Sequence, residues 1–167
     1  MNIISTIVVG VLTLVGIIMA PISLLPEDPS PITVNMYAGE EEEEKEENRK
    51  EKNEALKSWI QRLAFCESSN NPSAINPDDG GSPSYGYLQW KTRSFFAYNR
   101  KYQIIPDLEY HEVKNIIMCR DTQIALTKKV LLNEANGRGW RNWWNCARRV
   151  GVAELDKIRK AYALGKQ

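Results

Sequence analysis

Histidine and cysteine are scarce in this 167-residue chain: there is one histidine, His111, and three widely spaced cysteines, Cys66, Cys119 and Cys146, with no Cys-x-x-Cys pair. That supply argues against a zinc site, and neither a metal nor another cofactor is expected. His111 reads as a surface residue rather than a catalytic base. The cysteines leave two options open: an exported chain would pair two of the three, whereas a cytosolic one would keep all as thiols. No internal repeat is present, and no obvious pair of catalytic carboxylates stands out.

A strong excess of one charge is also missing overall, with 22 basic and 21 acidic residues, but the two signs are segregated. Residues 40–47 hold seven glutamates and one lysine, and the rest of the chain carries 21 basic against 14 acidic residues, a net of +7. A basic remainder favours an anionic partner, whether nucleic acid, lipid headgroups or an acidic polymer such as cell wall, and does not choose among them.

What is present begins with an uncharged apolar run over residues 3–25, long enough to cross a bilayer as a helix. Residues 1–25 therefore read as an export signal or a membrane anchor. The absence of Lys or Arg ahead of the run and of a clean Ala-x-Ala site before Pro21 favours a retained anchor. Residues 26–52 read as a linker. Pro26, Pro29 and Pro31 keep its first part extended, and the glutamate-rich block from Glu40 to Glu54 forms a self-repelling spacer or a solvated helix.

The globular domain, residues 53–151, opens on a helix whose apolar stripe is Leu56, Ile60 and Leu63, widened by Trp59 and Ala64. One more step of the same spacing lands on Glu67. Asn70-Asn71-Pro72 ends the helix about one turn later, so the carboxyl sits on the apolar face near a helix C-terminus. Burial and the negative end of the helix dipole both raise a carboxyl pKa, the condition for a general acid near neutral pH.

The loop after it, with Pro72, Pro77, Pro83 and Asp78-Asp79-Gly80-Gly81, reads as tight and irregular, followed by an extended segment over Tyr85-Gly86-Tyr87-Leu88-Gln89-Trp90. Thr92 or Ser94 opens a short helix bearing Phe95, Phe96 and Tyr102. Residues 108–118 suggest another with Val113, Ile116 and Ile117 inward. Asp121 is the expected N-cap of a longer helix through Ile124, Ala125, Val130 and Leu131, which Asn136-Gly137 terminates. A last helix over 152–167 aligns Val152, Leu155, Ile158 and Tyr162. The expected class is mainly α, small and helical, with a short β or loop wall beside a cleft.

Three blocks in order, Cys66-Glu67-Ser68-Ser69-Asn70, Ala74-Ile75-Asn76 and Tyr85-Gly86-Tyr87-Leu88-Gln89-Trp90, resemble the lysozyme-like (α+β) domain of lytic transglycosylases, most closely the resuscitation-promoting factors. Gln123-Ile124-Ala125 and the segment from Gly139 through Trp143-Trp144-Asn145-Cys146 to Gly151 agree with that family's second half. The resemblance covers residues 57–151. It implies that Glu67 is the catalytic acid, that Cys66 and Cys146 form a disulfide, that Ser94 takes the place of a substrate-contacting Thr, and that Arg138 replaces a Gln. Cys119 has no counterpart and falls in a longer segment, residues 97–120.

The function this implies is cleavage of the β-1,4 bond between the amino sugars of peptidoglycan by a lytic transglycosylase or muramidase. In lytic transglycosylases a hydroxyl of the substrate attacks the anomeric carbon, so one carboxylate serves as acid and then base, and the missing partner is expected. Asp78 and Asp79 stand close enough in sequence to approach the site, but turn aspartates more commonly cap their own backbone. Tyr85, Tyr87, Trp90, Trp140 and Trp143 offer flat faces to sugar C–H groups. Of the aromatics, Tyr85 and Trp140 are expected on the cleft wall, Trp59 and Trp144 in the core, and Trp90 and Trp143 in either. Gln89 either holds the loop or contacts a glycan. The partners expected are peptidoglycan strands and, through the N-terminal run, a membrane, with no nucleic acid and a monomeric chain anchored facing the wall or secreted. The rival is a wall-binding module that keeps the cleft without turnover.

Overall fold

The computed structural model describes residues 37–165, apart from the side chains of residues 37–41 and 135. The apolar run at 3–25 and the proline-containing stretch that follows it lie outside the described residues. Among the described residues no helix is long and apolar enough to cross a membrane.

Helix α1 runs unbroken from Tyr37 to Ser68, so the glutamate-rich block and the first domain helix are one rod. No break marks residue 53. The exposed surface of α1 carries i,i+3 ion pairs, Glu46 with Arg49 and Glu54 with Lys57, which contribute little at such exposure. Its second half buries Leu56, Trp59, Ile60, Leu63 and Ala64, the stripe read from the spacing. Left-handed backbone at Ser69 and Asn70 then stops the helix ahead of Pro72.

A three-stranded antiparallel sheet follows, in the order β1 (Ile75–Asp79), β2 (Ser82–Tyr85), β3 (Trp90–Lys91). This corrects the irregular-loop expectation. Asp79 pairs with Ser82 across Gly80-Gly81, whose φ values of 57° and 82° suit the two-residue hairpin turns that only glycine-like residues adopt freely. The register shifts between Asn76 and Asp79, and this irregularity accommodates Pro77 and Pro83, neither of which appears among the paired positions. Residues 86–89 form a turn rather than an extended segment.

The remaining elements are α2 (Thr92–Tyr102), α3 (Val113–Ile116), α4 (Arg120–Asn133), α5 (Trp144–Val150) and α6 (Val152–Leu164), with 3-10 turns at 110–112, 135–137 and 139–143. The helix expected over 108–118 shrinks to α3 and the turn before it, with Val113 and Ile117 still buried. Cys119, not Asp121, stands at the N-terminal boundary of α4, and Asp121 lies in its first turn. The helix ends at Asn133, three residues ahead of Asn136. Helix α6 places Leu155 and Ile158 in the same core as α1, α4 and α5. The architecture is mainly α with a small sheet at one side.

Candidate active site

Glu67 occupies the last turn of α1, half-buried, and lines a cleft of ≈ 470 Å³. Burial, aided by the negative charge of Asp79, lifts its carboxyl from 4.5 to about 7. Desolvation penalises the ionised form, and a second carboxylate adds repulsion. At neutral pH about half of such groups hold a proton, which is the state a general acid needs. Asp79, at the end of β1, lines the same cleft, 3.5 Å from the Lys91 ammonium of β3. Lys91 also donates to the Asp79 backbone carbonyl, so the hairpin end and β3 hold each other.

Both sequence neighbours of Glu67 are tied to other elements. Cys66 forms a disulfide with Cys146 of α5, with 5.6 Å between Cα atoms. Ser68 donates its hydroxyl to the Tyr87 carbonyl at 2.7 Å, joining the end of α1 to the turn at 86–89. Cys119 is an exposed free thiol whose pKa is lowered by hydrogen bonding to Thr122.

The turn itself is organised by two glutamines. Gln123, fully buried on α4, accepts from the Leu88 N–H at 2.6 Å and donates to the Tyr85 carbonyl at 2.9 Å and to the Ile117 carbonyl. Gly86, at φ 76°, lies directly against it: a Cβ there would stand 2.2 Å from Gln123 Nε2. Gln89, itself left-handed at φ 50°, accepts from the Ser84 hydroxyl and donates to the carbonyls of Ala74 and Gly86. Gln89 lines the cleft, yet its amide is already committed to the wall, so its role is structural.

Of the residues expected at the site, Glu67, Gln89, Trp90, Ser94, Trp143 and Cys146 line the cleft. Trp90 and Trp143 are 2 and 3 % exposed, meet edge to face at 4.9 Å, and spend their indole N–H groups on the Thr127 hydroxyl and the Leu88 carbonyl. They form a packed floor and offer no open face to a sugar. Ser94 lines the cleft from the first turn of α2.

Tyr85, Tyr87, Arg138 and Trp140 lie outside it. Tyr87 is buried beneath the Arg120 guanidinium, and Tyr85 takes part in the sheet, paired with Ile75 and Trp90. Trp140 stacks on Trp144 at 5.1 Å and faces a neighbouring hollow with Arg148 and Val152. Trp144, expected in the core, is instead 45 % exposed and is the accessible aromatic of the cleft. Trp59 is in the core, its indole donating to the Gly151 carbonyl at 3.0 Å.

Several cleft residues carried no sequence signal for that role: Lys91, Arg141, Asn142, Asn145 and Arg149. Lys91 lies on β3, and the others sit in the basic segment that follows Gly139, where the arginine density was the available clue. Gln123 was visible in the Gln123-Ile124-Ala125 block, with no role attached to its amide. Compared with family models, curated proteins and solved structures, the chain matches none.

Proposed function

We propose that the chain is a lysozyme-like enzyme that cleaves the β-1,4 bond between the amino sugars of peptidoglycan, as a lytic transglycosylase or muramidase. The observation that carries this reading is the Glu67 carboxyl, lifted to about 7 in a cleft of ≈ 470 Å³. The Glu67 O–H donates its proton to the glycosidic oxygen while the bond from that oxygen to the anomeric carbon breaks, and the sugar gains oxocarbenium character. A hydroxyl of the same sugar then attacks the anomeric carbon and returns its proton to Glu67, leaving an anhydro end. Trp144 supplies exposed indole surface to the cleft, and Ser94 supplies a hydroxyl.

Asp79 supports the acid through its charge. If water were the attacking group, Asp79 is the other carboxylate lining the cleft and would activate it. The apolar run at 3–25 would hold the enzyme at a membrane facing the wall, and the acidic first half of α1 would give it reach.

The test is digestion of peptidoglycan by the parent chain, Glu67→Gln and Asp79→Asn, with the soluble fragments read by mass spectrometry. Anhydro-terminated muropeptides from the parent and Asp79→Asn, and none from Glu67→Gln, are expected. Reducing-end products abolished by Asp79→Asn would make the enzyme a hydrolase. Binding without release by the parent, across a panel of wall types, would replace this reading with that of a non-catalytic wall-binding module.

A further inference from the structure

The cleft is lined by charged groups of both signs. Glu67 and Asp79 line it together with Arg141 and Arg149, and Arg149 and Asn145 continue into an adjoining hollow of ≈ 340 Å³ that Arg148 completes. All three arginines are exposed. Some other surface cations have carboxylate partners, Lys91 with Asp79, Arg62 with Glu154 and Lys101 with Glu134. Among the described residues, Arg141, Arg148 and Arg149 have none. Arg141 and Arg148 lie instead over the Trp144 ring, at 5.9 and 5.4 Å from its centroid, which orients their guanidinium groups beside the aromatic face.

We propose that Arg141, Arg148 and Arg149 form an anion subsite continuous with the cleft, which selects glycan strands carrying carboxylate substituents over neutral strands of the same backbone. The proposal rests on the glycan-cleaving reading and adds the substrate's charge to it. A neutral β-1,4 amino-sugar strand offers these guanidinium groups only uncharged hydroxyl and amide oxygens, whose hydrogen bonds are weaker than charge-assisted ones. A carboxylate meets each in the planar, two-bond geometry that guanidinium favours. The carboxylate could hang directly on the sugar, as a lactyl group, or terminate a peptide stem attached to it. A phosphodiester backbone fits less well, because Glu67 and Asp79, which line the same cleft, would repel a uniformly charged strand.

The experiment measures dissociation constants for the full chain carrying Glu67→Gln, which permits binding without turnover. The probes are tetrasaccharides: a neutral N-acetylglucosamine oligomer, an alternating N-acetylglucosamine/N-acetylmuramic acid oligomer with free lactyl carboxylates, and the latter bearing peptide stems with carboxylates free or amidated. A thymidine oligomer of matching charge is the control. At least one acidic glycan should bind roughly tenfold or more tightly than the neutral one, with a preference that shrinks as salt rises. Adding Arg141→Gln, Arg148→Gln and Arg149→Gln together should abolish the preference, so that acidic and neutral glycans bind with similar affinity. The tighter of the two acidic forms identifies the source of the carboxylate. Should the triple variant unfold, Arg149→Gln alone and the salt series on the parent background read the same preference.

Equal affinity for neutral and acidic glycans would overturn the anion subsite while leaving glycan cleavage standing. Binding of no glycan would remove both. Thymidine oligomer binding as tight as that of the acidic glycans would show an unselective basic surface, and the proposal would fall.

Discussion

Replacing Glu67 by glutamine should make the protein more stable above neutral pH and leave its stability nearly unchanged in acid. The native carboxyl is lifted to about 7, against 4.5 when exposed, so between those values the folded chain holds a proton that the unfolded chain has released. Unfolding then releases protons, and stability falls as pH rises through that window. The favourable contribution is complete below about 4.5 and gone above about 7. At about 1.4 kcal/mol per pH unit the ceiling is ~3.4 kcal/mol, and screening through the open side of the cleft reduces it to about 2 kcal/mol.

Glutamine keeps the shape and never ionises, so the variant escapes this cost. Urea unfolding of parent and Glu67→Gln at pH 4 and pH 8 isolates the effect, because every other titrating group contributes to both chains. The variant's advantage should grow by about 2 kcal/mol from the lower pH to the higher, equivalent to a melting-temperature gain of roughly 8 °C. A difference between the two chains that does not change with pH would show that Glu67 is not desolvated, and the acid assignment would go with it.

The disulfide, the turn and the second carboxylate each give a further expectation. Cys66 and Cys146 are separated by 80 residues, and a loop of that length carries a chain-entropy stabilisation of about 4.5 kcal/mol at most, so dithiothreitol should lower the urea midpoint sharply; unaltered unfolding would contradict this. Gln123→Ala leaves the Leu88 N–H and the carbonyls of Tyr85 and Ile117 without their partner, at a cost of about 2 to 4 kcal/mol in chemical denaturation. Gly86→Ala drives a Cβ into that same amide, so the double variant should cost less than the sum of the two, and strict additivity would refute the contact. Asp79→Asn removes the negative charge that helps raise Glu67, so the alkaline limb of the pH–activity profile should move to lower pH; a limb that stays put or moves upward would rule out that coupling.

The acid was legible because helical spacing is a property of a few consecutive residues: Leu56, Ile60, Leu63 and Glu67 share a face whatever surrounds them. Among the aromatics, Trp59 lies in the core as expected, whereas Trp144, which follows a change of helix type, does not. Residues 139–143 form a 3-10 turn, which winds at three residues per turn, so α-helical phase does not carry across it. Trp143 consequently becomes floor and Trp144 becomes surface. The sheet was hidden for a different reason. Residues 75–85 have prolines at 77 and 83 and mostly polar neighbours, so no apolar alternation survives, and the pairing depends on an irregularity that only the partner strand reveals. Gln123 bonds residues 35 and 38 positions away, and no local pattern carries that information.

The wiring around Glu67 explains how one carboxyl can be both desolvated and held in place. The residue before it is bonded covalently to α5 and the residue after it is hydrogen-bonded to the turn at 86–89, so the acid is suspended between two walls of its own cleft. Each wall has its own fixing: Gln123 beneath the turn and Gln89 within it on one side, and the Trp143 indole bonded to the Leu88 carbonyl on the other, which also ties the two walls together. Opening the cleft would break several of these bonds at once, and opening it is also what would rehydrate Glu67 and return its pKa toward 4.5. Proton donation and cleft geometry are therefore maintained by the same contacts. A substitution in the turn that never touches the carboxyl, Gly86→Ala above all, should shift the pH dependence of the site as well as the stability of the fold.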